Sequence, residues 1–169
     1  MKVDLGCGYC KRVGFVGVDK ITDGEADFVC DIELGLPFAD GEVDCFYGNH
    51  IWEHLRNPVF VFGEIQRCLK VGGVCQLNLP HPSDYNGLLG HFDHKRCFPV
   101  DWFLLQARLN NMTVERYWMG FYRWDDYRGL KGWIARVLDY LVNDLLGYRL
   151  WERLNWFTMK EMRLWMRKN

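Results

Sequence analysis

An α/β fold built on a parallel sheet is predicted for this 169-residue chain on three observations. Short apolar runs rich in β-branched and aromatic residues recur between turn signals, as strands buried on both faces read. One clear amphipathic helix joins the fourth run to the fifth, and a strand–helix–strand unit of that length is a right-handed parallel crossover. The first three runs end in glycine or an acid, the residue types that admit and hold a ligand at the carboxyl ends of parallel strands.

The strands follow in order. Lys2-Val3-Asp4-Leu5 is the first and runs into Gly6-Cys7-Gly8. Residues 14–19 form a second ending in Asp19, and residues 26–31 a third ending in Asp31. Residues 43–47 form a fourth after the turn signal Asp40-Gly41. Residues 73–79 form a fifth, stopped by Pro80. The helix between the last two opens at Pro58, which suits a first turn. Its apolar face is Val59, Phe62, Ile65, Cys68 and Leu69, and Gly72-Gly73 is expected to end it. After Pro99, residues 101–106 read as a helix with Asp101 as capping acid, and residues 112–118 as a sixth strand. Residues 130–146 are the strongest amphipathic helix. Leu130, Trp133, Ile134, Val137, Leu138, Leu141 and Leu145 make its apolar face, with Lys131, Arg136, Asp139 and Asn143 away from it. Residues 161–167 alternate like a half-buried strand.

Composition limits the function classes. At 49% hydrophobic and 25% charged, the chain fits a globular protein of one domain, residues 1–169, and excludes disorder. No apolar run reaches the roughly 18 residues of a membrane span. The start, Met1-Lys2-Val3-Asp4, is too polar for a signal peptide, so a cytoplasmic location is expected. Residues 101–169 carry a net +4 against −5 for residues 1–100, and seven of the eight tryptophans. Packing of aromatics onto a core accounts for that tail. Without a dense Lys/Arg run, no nucleic-acid partner is expected. The seven cysteines are scattered in apolar segments and read as buried thiols. Cys7 and Cys10 spell C-x-x-C, but no second pair stands at zinc spacing.

The chemistry concentrates at the strand ends. Gly6 and Gly8 allow close backbone approach of a ligand, Asp19 stands where a carboxylate accepts both ribose hydroxyls, and Asp31 adds an acceptor near a base. Together they make a nucleoside pocket. A dinucleotide would want G-x-G-x-x-G, and the third glycine is missing here. The nine residues 6–14 also fall below the usual crossover of about 10–12. A nicotinamide-dependent dehydrogenase is therefore disfavoured.

Asp4-Leu5-Gly6-Cys7-Gly8, Gly17-Val18-Asp19, Cys30-Asp31-Ile32, Leu36-Pro37-Phe38, Trp52-Glu53-His54-Leu55 and the run Glu64 to Gly73 resemble class I S-adenosylmethionine-dependent methyltransferases of the type-11 family. The resemblance covers residues 2–80 and implies a three-layer Rossmann-like sheet in the order 3-2-1-4-5-7-6, the last strand antiparallel. It implies S-adenosyl-L-methionine as cofactor, held by residues 1–80, with residues 81–169 on the acceptor side. Gly6 and Gly8, with Asp4 and Cys7, would border its methionine part. Asp19 and Lys20 would hold the ribose, Asp31 and Ile32 the adenine, and Asn49 and His50 would lie beside the sulfonium. Two departures mark a compact member: residues 9–14 stand in place of the first crossover helix, and residues 20–25 form a bare loop. One sheet edge is thus expected to lack a cover.

Methyl transfer from a sulfonium is an in-line displacement in which a base is optional. The histidine candidates are His81 first, then His50, and His94 in a segment resembling one that closes over the acceptor. Glu53-His54-Leu55 reads as a turn anchor. His91, Asp93 and His94 are ligand types of zinc or iron, yet spacing alone rarely closes a shell, and no metal is expected. The expected acceptor is a small or medium-sized molecule (a glycan, a lipid-linked compound or a natural product) in an aromatic-lined cleft of residues 80–98 and the C-terminal region. The alternative is a catalytically silent cofactor-binding subunit acting as an interaction module. A homodimer through the C-terminal aromatic helices is a further expectation.

Overall fold

The structure, a computed structural model, describes residues 1–84, 91–120, 129–141, 143 and 161–169. Seven strands form one sheet: β1 (Lys2–Leu5), β2 (Val16–Asp19), β3 (Phe28–Val29), β4 (Val43–Asn49), β5 (Leu69–Pro80), β6 (Met112–Gly120) and β7 (Glu161–Lys168). Their spatial order is β3-β2-β1-β4-β5-β7-β6. β1 through β5 pair in parallel, and β7 runs antiparallel to both of its neighbours. This is the sheet that the resemblance implied. Among the described residues three helices accompany it, α1 (Pro58–Cys68), α2 (Val100–Leu109) and α3 (Gly129–Tyr140), with a 3-10 turn at Trp52–His54.

The α1 helix starts as its sequence directs. Asn57 accepts from the backbone N–H of Phe60, and Pro58 sits in the first turn, where its missing N–H costs nothing. The buried face is Pro58, Val61, Phe62, Ile65 and Cys68. Val59 is exposed instead, the helical phase being set by Val61. The helix also stops at Cys68, before Gly72-Gly73. Leu69, fully buried, already pairs with Val43 as the start of β5, so Gly72 falls inside the strand beside a register shift. Glu64 and Arg67 close the connection to β4. Arg67 Nε and Nη2 donate to the two oxygens of Glu64 at 2.7 and 2.8 Å, and Nη1 donates to Phe38 O and Asp40.

In α2 the N-cap is Pro99, and Asp101 lies within the first turn rather than at the cap. The helix places Trp102 and Phe103 against Trp52, at ring-centroid distances of 6.1 and 5.9 Å. Burying each such ring contributes roughly 1.5–3 kcal/mol, which fixes the turn after β4.

The α3 helix is rotated relative to the predicted face. Ile134, Val137 and Tyr140 are exposed, while Asp139 is buried. Asn143 accounts for the phase: its Oδ1 accepts from Met119 N–H and its Nδ2 donates to Met119 O, both at 2.8 Å. Satisfying both backbone groups at the end of β6 turns the Asp139–Asn143 side inward. The side chains of Leu130, Trp133 and Leu145 lie outside the described residues.

At the opposite edge, β3 has only two residues, both exposed, with the Phe28 ring edge-on to Phe38 at 5.5 Å between ring centres. No helix among the described residues is long and apolar enough to cross a membrane.

Candidate active site

The carboxyl ends of β1, β2 and β4 meet at Gly6. This residue has φ +67°, and a Cβ there would lie 2.7 Å from Ile51 Cδ1, so glycine is required by both conformation and contact. Two concavities share it. A narrow crevice of about 50 Å³ is bordered by Asp19, Lys20, Asp31, Ile32 and Ile51. A wide cleft of about 930 Å³ is bordered by Asp4, Cys7, Asn49 and His50 on one side. Gln76, Asn78, Glu161 and Arg163 border it on the other. Gly8 lines neither concavity, and its N–H instead meets Asp19.

Backbone donors position the acids. Asp19 Oδ2 accepts from Gly8 N–H at 2.8 Å and Oδ1 from Ile21 N–H at 2.9 Å, which leaves each oxygen a further lone pair. Asp31 Oδ1 accepts from Glu33 N–H at 3.0 Å. Asp4 Oδ2 accepts from Arg12 N–H at 2.8 Å, and burial raises its pKa above the ordinary value. The short segment in place of a first crossover helix is therefore tied to β1 at Asp4 and to β2 at Asp19.

The cleft opens over a sheet face that is polar. Asn78, on β5, donates through Nδ2 to Tyr47 Oη and to Asn49 Oδ1, both at 3.1 Å. The guanidinium of Arg12 stands 4.3 Å from the Tyr47 ring centre. Glu161 and Arg163 are paired at the start of β7, Nε to Oε1 at 3.0 Å. Much of the aromatic cleft expected from residues 80–98 and the C-terminal region lies outside the described residues, whose own lining here is polar. Gln76 and Asn78 carry a signal that could have found it: two amides alternate with Cys75, Leu77 and Leu79 in a strand otherwise read as doubly buried.

Of the three histidine candidates, only His50 lines the cleft. It is held at φ +52°, an uncommon conformation for a residue with a side chain, and its Nδ1 meets Glu53 Oε1 at 3.1 Å. His81 is buried, borders neither concavity, and has Nδ1 facing the Ser83 hydroxyl at 2.8 Å. Burial brings its pKa down to about 4. His94 is packed between His54 and His91, both at 4.7 Å between ring centres, with Nε2 3.9 Å from Glu53 Oε1. Glu53 itself, read as a turn anchor, is buried at the centre of these imidazoles.

Residues 15–77 match the model of a methyltransferase-domain family, type 11. The chain is similar in structure to an S-adenosylmethionine-dependent methyltransferase from Archaeoglobus fulgidus, with TM-score 0.65 and 16% identity over 99% of this chain and 85% of that one. It is similar to geranyl diphosphate C-methyltransferase from Streptomyces coelicolor A3(2), solved with Mg²⁺, geranyl diphosphate and S-adenosyl-L-homocysteine. There the TM-score is 0.64 and the identity 18%, over 99% and 73% of the two chains. The [4+2]-cyclase SpnF shares the fold as well, at TM-score 0.60 and 17% identity over 99% and 74%. No curated protein matches the sequence.

Proposed function

We propose that the chain, as one domain over residues 1–169, transfers the methyl group of S-adenosylmethionine to a small or medium-sized polar acceptor. The observation that carries this reading is the shared position of Gly6. Nine of the ten residues expected to bind the cofactor border the two concavities that meet there, Gly8 being the exception. The crevice side, with Asp19, Lys20, Asp31 and Ile32, takes the nucleoside. The cleft side, with Asp4, Cys7, Asn49 and His50, takes the methionine part and the acceptor.

The cofactor supplies the reactive methyl on its sulfonium, so this chain binds, orients and excludes water. Asp19 accepts the ribose hydroxyls through the lone pairs left by Gly8 and Ile21. His50 is the imidazole suited to take a proton from the acceptor, since Glu53 at its Nδ1 leaves Nε2 with the lone pair. The amides of Asn49, Gln76 and Asn78 and the charges of Glu161 and Arg163 suit a hydroxyl-rich acceptor such as a glycan.

Calorimetric titration of S-adenosylmethionine and its demethylated product into the full chain tests the binding half of the reading. Transfer of a labelled methyl group across a panel of glycans and hydroxylated small molecules tests the other half. Micromolar binding followed by transfer is expected. Absence of binding to either compound would overturn the proposal, and binding without transfer to any acceptor would favour a silent cofactor-binding subunit.

A further inference from the structure

We propose that Glu53, His54 and His94 form a binding site for a divalent transition-metal ion, zinc in the first instance. The inference does not rest on methyl transfer. One ligand atom from each residue lies within 4.8 Å of the other two. Atoms around a tetrahedral zinc with bonds of about 2.1 Å stand roughly 3.4 Å apart, so small side-chain rotations close the set.

Two buried atoms point to a ligand. The side chains of Glu53 and His94 are 1% and 7% exposed. Yet Glu53 Oε2 and His94 Nδ1 have no hydrogen-bond partner. A desolvated carboxylate oxygen without a donor is costly, and a cation is what satisfies it. Glu53 Oε1 is meanwhile engaged by His50, which leaves Oε2 for the ion.

The surroundings hold the ligands in place. His54 Nδ1 meets Asp93 Oδ2 at 2.9 Å, the carboxylate-backed arrangement that fixes the tautomer of metal-bound histidines and leaves Nε2 to coordinate. Lys95 N–H donates to Glu53 O at 2.8 Å, pinning the 91–95 segment to the turn after β4. Two imidazoles and a carboxylate suit zinc, and three protein ligands leave one position open. The ion would clamp the 91–95 segment onto Trp52–His54 and lie one residue contact, through His50, from the cleft.

The test is titration of zinc chloride into the chelator-treated full chain, followed by calorimetry, with Glu53→Gln, His54→Ala and His94→Ala beside the wild type. One equivalent is expected to bind, with affinity reduced at least ~100-fold in each variant. Because all seven cysteines are free, the Cys7→Ser/Cys10→Ser double variant is included and is expected to bind as the wild type does. The cobalt-loaded wild type should show visible d–d bands without a thiolate charge-transfer band, a readout that stands even where a ligand variant misfolds by circular dichroism. Failure of the wild type to take up one equivalent overturns the site. So does unchanged affinity in folded His54→Ala and His94→Ala, or a thiolate band.

Discussion

The carboxylate of Asp19 accepts the backbone N–H of Gly8 at 2.8 Å, joining the end of β2 to the glycine turn after β1. This bond fixes the loop against the sheet with no helix between the two strands. Under the proposed function the same carboxylate is preset for the ribose of the cofactor.

Asp19→Ala should therefore weaken S-adenosylhomocysteine by about 100-fold or more. Two ribose hydrogen bonds to a charged acceptor are worth about 1.5–3 kcal/mol each, and each 1.4 kcal/mol is a factor of ten. Asp19→Asn keeps one acceptor oxygen and should fall between. Calorimetric affinities order the three proteins, and equal affinities across them would remove Asp19 from the site.

Gly6 and Gly8 both have positive φ, +67° and +53°, yet their surroundings differ. A methyl at Gly8 meets nothing within 4 Å, so Gly8→Ala should cost only the conformational preference, about 1 kcal/mol. At Gly6 the added Cβ meets the branch of Ile51 as well, and Gly6→Ala should cost about 2 kcal/mol or more. Urea unfolding of the two variants measures the difference. A smaller loss at Gly6 than at Gly8 would mean that Ile51 yields freely.

Much of this site could be read in the sequence because it is local. Gly6, Asp19 and Asp31 each end a strand, and the runs that form those strands are apolar and bounded by turns. The position of β7 between β5 and β6 came with the family resemblance, since pairing across distant strands leaves no local signal. The phase of α3 was misread because Asn143 reaches the backbone of Met119, a contact that hydropathy does not register. His94 and Glu53 lie 41 positions apart, and only the docking of residues 91–95 on the turn after β4 brings their side chains together.

Arg67 holds Glu64 in a two-pronged contact, and this lowers the pKa of the Glu64 carboxyl. A carboxyl whose folded pKa is depressed stabilises the fold above its unfolded pKa, about 4.3, and that contribution disappears as pH falls through the folded value. Arg67→Met should cost about 2 kcal/mol at pH 7, from charge-assisted bonds to Glu64, Asp40 and Phe38 O. The gap from wild type should shrink below pH 4 as Glu64 takes its proton. Urea unfolding across pH 3–7 measures this, and a gap that stays constant would show that Glu64 is not what Arg67 stabilises.

His81 is neutral at pH 7 and resists protonation because it is buried, with its pKa brought down to about 4. Ser83 N–H donates to Nδ1 at 3.1 Å, which assigns the proton of the neutral ring to Nε2. The unfolded imidazole titrates near 6.5. Between these values the unfolded chain binds the extra proton, so stability is complete above pH 6.5 and declines as pH falls towards 4. The loss attributable to this one group is about 3 kcal/mol, from roughly 1.36 kcal/mol per pH unit. His81→Asn keeps an acceptor for Ser83 and removes the titration. It should be less stable at pH 7 by the packing it loses, while its stability falls less steeply between pH 6.5 and 4. Scanning calorimetry of both proteins over that range decides the matter, since parallel curves would show that His81 ionises in the fold as freely as in the unfolded chain.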